Sequence, residues 1–271
     1  MTELDDLASR LADVAVAAAT AVAEPLRDAF RVGVDVDYKR DHHDPVTVHD
    51  RLAEERIRDH LTAEVPDSVV VGEESGASGA GGRVHWYVDP IDGTANFASG
   101  LAFFCTSIGA VVDDRIVAGA IVDPVAGMVF RADTTTSTRD GKPLRAGGVA
   151  DEERALLITG YPNARDIARD GEQGLARYAD LVTSFATVRR PGSSALSIAH
   201  VAAGWADAAL GTSVSAWDIC AAQLILTRAG GVYVPFGGER GWDQPAYLAH
   251  TRDLKPVALR RFVERHQGGT A

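Results

Sequence analysis

Residues 86–97 read Trp-Tyr-Val-Asp-Pro-Ile-Asp-Gly-Thr-Ala-Asn-Phe, and the fold is decided there. An apolar strand over 84–88 delivers Asp89, and Pro90, with no N–H to donate, is expected to end the ladder. Asp92 follows three residues after Asp89, in a turn that Gly93 permits. Carboxylates at a strand end and in the next turn can converge on one or two cations, with the Ile91 carbonyl as a further oxygen. An all-oxygen set suits a hard cation, Mg²⁺ above all, with Ca²⁺ or Mn²⁺ next. A short helix opening at Gly93 and Thr94 would point backbone N–H groups at an anion beside the metal. Taken alone, however, Asp-Pro-Ile-Asp-Gly is also an ordinary Asx or β-turn.

Two flanking segments bear on that choice. Upstream, a strand over 68–71 runs into Gly72-Glu73-Glu74-Ser75-Gly76. Downstream, Ser215-Ala216-Trp217-Asp218 opens a helix. A Glu-Glu pair by itself reads as a solvated loop. Asp218 by itself reads as a first-turn acid favoured by the helix dipole. Each acid sits beside an apolar strand or a Trp, and together they fit one metal site better than three coincidences.

Working outward, Leu4, Leu7, Leu11, Val14 and Ala18 recur at helical spacing in an Ala-rich helix over 3–31, which Pro25 would kink or bring to its last turns. A second helix spans 46–63, with a polar loop over 34–44 between the two. In that loop, Asp41-His42-His43-Asp44 has the composition of a metal cluster, but adjacent residues do not converge on one ion, so both His are read as solvated or structural. After a Gly/Ser-rich loop over 76–82, strands over 103–112, 116–122 and 128–131 form a meander. From 151 on, the order alternates: strands at 155–159, 185–189, 206–210 and 231–234, helices at 165–184, 193–203, 216–229 and 253–266. The chain is α/β, with an N-terminal α+β half (1–150) and a C-terminal α/β half (151–271) packed as one unit.

The 271 residues carry 46% apolar and 24% charged side chains, so the chain can build its core without staples. Its 27 basic and 38 acidic residues give a net charge of −11, which argues against a nucleic-acid partner and a polybasic membrane anchor. Cys105 and Cys220 lie far apart with no Cys-x-x-Cys pair, and read as buried thiols. The acidic start, Met1-Thr2-Glu3-Leu4-Asp5-Asp6, is unlike a signal peptide, and no apolar run reaches membrane-span length, so a cytoplasmic protein is expected.

These segments together resemble the inositol monophosphatase family of Mg²⁺-dependent phosphomonoesterases. Gly72-Glu73-Glu74-Ser75 is similar to its GEES segment, residues 86–97 to its W-x-x-DPIDGT-x-NF signature, and Trp217-Asp218 with Ala229-Gly230-Gly231 to its WD…AGG segment. The upstream Asp44-Pro45-Val46-Thr47-Val48-His49-Asp50 is similar to the family's D-x-V-T-x-x-D element.

The resemblance implies a layered αβαβα sandwich of the inositol monophosphatase and fructose-1,6-bisphosphatase type, with the active site at the seam between the halves. It implies two or three Mg²⁺ per site: Glu73, Asp89 and the Ile91 carbonyl on the first, and Asp89, Asp92 and Asp218 on the second, with Asp50 near a weaker third position. Glu73, Thr94 and Asp50 would be catalytic, orienting or activating water. Asp92, Gly93 and Thr94 would form the phosphate site. Gly192, Ser193, Ser194 and Ala195 would meet the substrate's alcohol portion, with Lys39 nearby. In members that prefer inositol phosphate, an acid seven residues before the WD aspartate contacts sugar hydroxyls; here that position is Gly211. The reaction class therefore carries over more firmly than the inositol assignment.

The expected activity is hydrolysis of a small-molecule phosphate ester by metal-activated water, without a covalent intermediate. Inositol monophosphate is the family default; histidinol phosphate, another sugar or cyclitol phosphate and a nucleotide 3′-phosphate are the alternatives. A non-catalytic phosphate-binding member is the rival class. A homodimer is expected, with the Phe103-Phe104 strand and 161–180 as contact surfaces.

Overall fold

Ala-rich sequence with one apolar stripe makes the first element, α1 (Glu3–Val32). Thr2 caps it, accepting from the Asp5 amide at 3.2 Å while Asp5 accepts from the Thr2 amide at 2.9 Å. Pro25 lies inside the helix rather than ending it. The chain is described here by a computed structural model covering residues 2–39, 42, 45–79, 81–238 and 241–268. Asp41, His43 and Asp44 of the upstream segment fall outside that range. The expected 34–44 loop carries one strand, β1 (Asp37–Tyr38), which pairs with β2 (Pro45–Val46) just beyond it. Thr47 and Asp50 then cap α2 (Val48–Glu64).

The large sheet holds β3 (Val69–Gly72), β4 (Gly76–Gly79), β5 (Val84–Asp92), β6 (Cys105–Val112), β7 (Arg115–Asp123), β8 (Met128–Ala132), β9 (Ser137–Arg139) and β10 (Lys142–Pro143). Their order is β10-β9-β8-β7-β6-β5-β3-β4, antiparallel except for β3 on β5. Two expectations are corrected here. The start of the Gly/Ser-rich loop is an edge strand, β4, because its backbone pairs with β3 whatever its side chains lack. Pro90 does not end the ladder: β5 continues to Asp92 through a bulge, in which Asp89 and Asp92 pair with Ser107 and Cys105. Asp92 is thus the last strand residue, and the turn begins at Gly93, ahead of α3 (Thr94–Ser99).

The small sheet holds β11 (Leu156–Thr159), β12 (Thr187–Arg189), β13 (Ala208–Thr212), β14 (Val232–Phe236) and β15 (Ala246–His250), in the order β12-β11-β13-β15-β14. The sequence reading lacked β15, whose Tyr247-Leu248-Ala249 pairs antiparallel with both β13 and β14. The helices are α4 (Ala164–Ser184), α5 (Ser194–Ala202), α6 (Ala216–Arg228) and α7 (Val257–Gly268). α7 starts at Val257 rather than 253, where buried Glu152 accepts from the Ala258 and Leu259 amides at 2.8 and 3.2 Å.

Three cores hold the five layers together, the middle one filling both faces of the central helices, as the αβαβα expectation has it. Ala15, Ile57, Trp86 and Ile108 join α1 and α2 to the large sheet. Ile121, Phe130, Leu196 and Ile225 fill the space between the sheets, around α5 and α6. Leu157, Leu181, Leu248 and Phe262 pack α4 and α7 on the far side of the small sheet. Glycine sets how low α6 lies on the large sheet: a Cβ on Gly109 would stand 2.3 Å from the Cys220 sulfur. With α6 this low, Asp218 in its first turn lies beside Asp89 and Asp92 of β5. Among the described residues, no helix is long and apolar enough to cross a membrane.

Candidate metal centre

Three aspartates from two elements meet at this seam. The β5 bulge presents Asp89 and Asp92, the first turn of α6 presents Asp218, and one carboxylate oxygen of each lies within 4.8 Å of the others. Asp89 and Asp92 are buried, at 2% and 8% exposure, and Asp218 is partly exposed. Each is held by its own neighbourhood. Asp89 accepts from the Ile91 amide at 3.0 Å, and Asp218 from the Ser215 amide at 2.8 Å. Asp92 accepts from Ser193 Oγ at 2.5 Å and from the Ala195 and Ser194 amides at 2.6 and 3.2 Å.

The electrostatics would suit a cation. Burial, then the charges of Glu73, Asp92 and Asp218, push the Asp89 carboxyl well above the usual range. Burial and the charge of Asp92 do the same to Asp218. Burial raises Asp92 to about 6 against the opposing hydrogen bonds from Ser193, Ala195 and Ser194. Carboxylates that disfavour one another's charge are stabilised by a shared cation, and an all-oxygen donor set fits a hard one.

Glu73 follows β3, and its amide donates to the Val88 carbonyl at 3.1 Å. Its charge acts on Asp89, but its carboxylate lies outside the cluster of three aspartates. Lys39 Nζ lies 2.9 Å from Glu73 and 2.5 Å from Glu74. Burial depresses that ammonium, and the two glutamates more than offset it, so its pKa ends above the usual value. The structure therefore places Lys39 on the acids.

Asp50 stands one step behind. It is fully buried, accepting from the Thr47 amide at 2.7 Å and hydroxyl at 2.6 Å. Burial raises its pKa while the Thr47 and Thr94 bonds oppose the rise. The Thr94 hydroxyl lies 3.0 Å from both Asp50 Oδ1 and the Ile91 carbonyl, so Asp50, Thr94 and Ile91 form one chain of contacts. Gly93, at φ 102°, makes the left-handed turn that sets Thr94 there.

The 192–195 segment shows what sequence reasoning missed. Three of its donors are on Asp92, so the loop assigned to the substrate also anchors one of the acids. Asn96 ties it down, its amide nitrogen lying 2.7 Å from the Phe103 carbonyl and 2.5 Å from the Pro191 carbonyl. The one signal was Ser193, an N-cap residue after Pro191-Gly192. The unforeseen β15 also carries Tyr247, whose ring stacks on Tyr233 with centroids 5.7 Å apart. A Cβ on Gly211 would sit 2.3 Å from that ring, so Tyr247 fills the space a side chain at 211 would take.

Comparison with known proteins gives a consistent picture. The model of the inositol monophosphatase family matches residues 7–267. A "Nus factor SuhB" of Pseudomonas aeruginosa is 34% identical over 259 residues, 94% of this chain and 96% of the relative. An "Inositol-1-monophosphatase" of Mycobacterium bovis is 37% identical over 232 residues, 81% of this chain and 79% of the relative. The solved structure of Mycobacterium tuberculosis SuhB superposes with a TM-score of 0.76 at 32% identity, covering 96% of this chain and 97% of that one.

Proposed function

This chain belongs to the inositol monophosphatase family and is a phosphomonoesterase, and from that premise we propose Mg²⁺-dependent hydrolysis of the phosphate ester of a small hydroxylated metabolite. The observation that carries the proposal is the convergence of Asp89, Asp92 and Asp218 within 4.8 Å at the seam of the two sheets. Asp89, Asp92 and Asp218 would hold one Mg²⁺; Glu73, Asp89 and the Ile91 carbonyl would hold another, and Asp50 would stand near a third position. When bound, the cations neutralise the phosphate dianion, activate water and stabilise the departing alkoxide.

The protein's own groups do the rest. Glu73 and the Thr94 hydroxyl orient the attacking water, and Asp50 fixes Thr94 by accepting from it at 3.0 Å. The Gly93 and Thr94 amides, with Asp92 beside them, receive the phosphate. Ser193, Ser194 and Ala195 hold Asp92 and face the alcohol portion from α5, with Gly192 at the bend and Lys39 balancing Glu73 and Glu74.

Inositol monophosphate is the first substrate to try; histidinol phosphate, other sugar or cyclitol phosphates and nucleotide 3′-phosphates follow. Gly211 offers no carboxylate to a polyol hydroxyl, and the Tyr247 ring fills the space beside it, which favours the alternatives. Phosphate release is measured over this panel with Mg²⁺ and with chelator. Absence of Mg²⁺-dependent release from every ester would refute the proposal.

We further read the chain as a cytoplasmic homodimer whose two halves fold as one unit. Two buried free thiols, Cys105 and Cys220, support a reducing compartment. Exposed Ile167, Leu175 and Val182 on α4 support a contact surface, whereas Phe104 is buried against Phe30 and Phe97 and is withdrawn from that role. Light scattering after gel filtration measures the mass.

A further inference from the structure

α2 buries a second acid one turn beyond Asp50, on the same face: Glu54, 2% exposed. Both oxygens already accept hydrogen bonds. Oε2 accepts from the Glu74 amide at 2.7 Å. Oε1 accepts from the Ser75 amide at 3.1 Å, from the Ser75 hydroxyl, and from Arg58 Nη2 at 2.8 Å. Arg58, one turn further along α2, also reaches the Ser75 and Ser78 hydroxyls. On the other side, the Cα of Gly72 rests on the carboxylate: a Cβ there would stand 2.3 Å from Glu54 Cδ. Glu73 thus lies between two residues that are both registered against Glu54, and its own amide is fixed on Val88.

We propose that Glu54 is a positioning residue for the metal centre: its buried carboxylate is the socket of the 72–75 turn and sets the direction in which Glu73 projects toward Asp89. The turn is rich in backbone freedom, since Gly72 and Gly76 bracket it, and charge-assisted bonds from its amides to one fixed anion remove that freedom. The inference rests on the metal reading of the site given above.

Two substitutions separate geometry from charge. Glu54→Gln removes the charge and turns one acceptor into a donor facing an amide. Glu54→Asp keeps the charge for Arg58 but withdraws the oxygens by one methylene. Calorimetric titration of Mg²⁺ into the metal-free full-length protein is expected to give a Kd about tenfold higher in both variants. Thermal melts run in parallel. If either variant melts earlier but binds Mg²⁺ with the parent's Kd, Glu54 only stabilises the turn and the proposal is overturned. If Glu54→Asp alone binds like the parent, the effect is charge rather than placement, which also overturns it. A parent that takes up no Mg²⁺ overturns the metal reading itself, a failure distinct from the other two.

Discussion

Asp89→Asn should separate the stability of this protein from its activity. One oxygen each of Asp89, Asp92 and Asp218 lies within 4.8 Å of the others. At that distance and an effective dielectric constant of about 20, two full charges repel by about 3.5 kcal/mol. Asp89 takes part in two such pairs, and Glu73 adds to them. The metal-free cluster escapes part of this by holding protons, which is why Asp89 and Asp218 sit well above the usual carboxylate range. The relief on removing one charge is therefore smaller, about 1–3 kcal/mol. Asn keeps an oxygen for the Ile91 amide, now 3.0 Å away, and its new N–H₂ faces carboxylates that can accept. In chelator, the variant should melt at or above the parent, by up to roughly 10 °C for a chain of this size.

Mg²⁺ should reverse that order. A cation bound only by the folded parent adds about 2.7 kcal/mol at a hundredfold excess over its Kd. The variant should gain little, and its phosphate release should fall by at least about a hundredfold. Differential scanning calorimetry with and without Mg²⁺, together with a phosphate-release assay, reads both effects. An Asp89→Asn protein that melts below the parent in chelator, or that keeps the full Mg²⁺-induced rise, refutes the reasoning.

Thr94→Ala should lower kcat about ten- to a hundredfold while the calorimetric Mg²⁺ affinity moves less than about threefold, and Thr94→Ser should recover most of the loss, because only the hydroxyl between Asp50 and the Ile91 carbonyl is at issue. Gly211→Ala should cost about 1–3 kcal/mol in a thermal or urea melt, since its methyl would sit 2.3 Å from the Tyr247 ring; an unchanged melt would show that the ring is free to move. Dialysis against chelator should abolish phosphate release, with Mg²⁺ restoring it and Ca²⁺ failing to, because Ca²⁺ takes longer bonds and more ligands than this small acid set offers.

The layers were legible in the sequence because their signals are periodic. The stripe of α1, the meander after β5 and the alternation after 151 each repeat over many residues. The departures occur where pairing or packing decides rather than local preference. β4 is Gly-Ala-Ser-Gly and reads as loop, yet the free edge of β3 recruits it. β15 follows the Gly- and Pro-containing stretch 237–245, and its strand character comes from lying between β13 and β14. In the candidate site, Asp89, Asp92 and Asp218 could be picked out because their strands and helix announce them. The bonds from Ser193, Ser194 and Ala195 to Asp92 span about a hundred residues, and only the tertiary fold supplies them. Glu54 gave no signal, since an acid in a charged helix is ordinary until the 72–75 turn is seen resting on it.

The two sequence readings of Asp218, first-turn acid and metal-site acid, are compatible in this geometry. Among the described residues, four helices begin with a reciprocal cap whose third helical residue is Asp: Asp5, Asp50, Asp166 and Asp218. In each, one oxygen is committed to the N-cap amide, which fixes the side chain's rotamer and leaves the second oxygen aimed outward. Such an acid arrives already oriented, and what its free oxygen meets decides its use. Asp5 meets the Thr134 hydroxyl near the surface, and Asp166 meets Arg169 and Thr212. Asp50 meets Thr94, and Asp218 meets Asp89 and Asp92 at the seam. The same cap thus serves stability where the helix starts beside a partner, and at Asp218 it presents an oxygen to two like charges. Part of the net charge of −11 is concentrated by this means into a cluster that could hold a cation, and a bound cation would let an acidic protein receive an anionic ester.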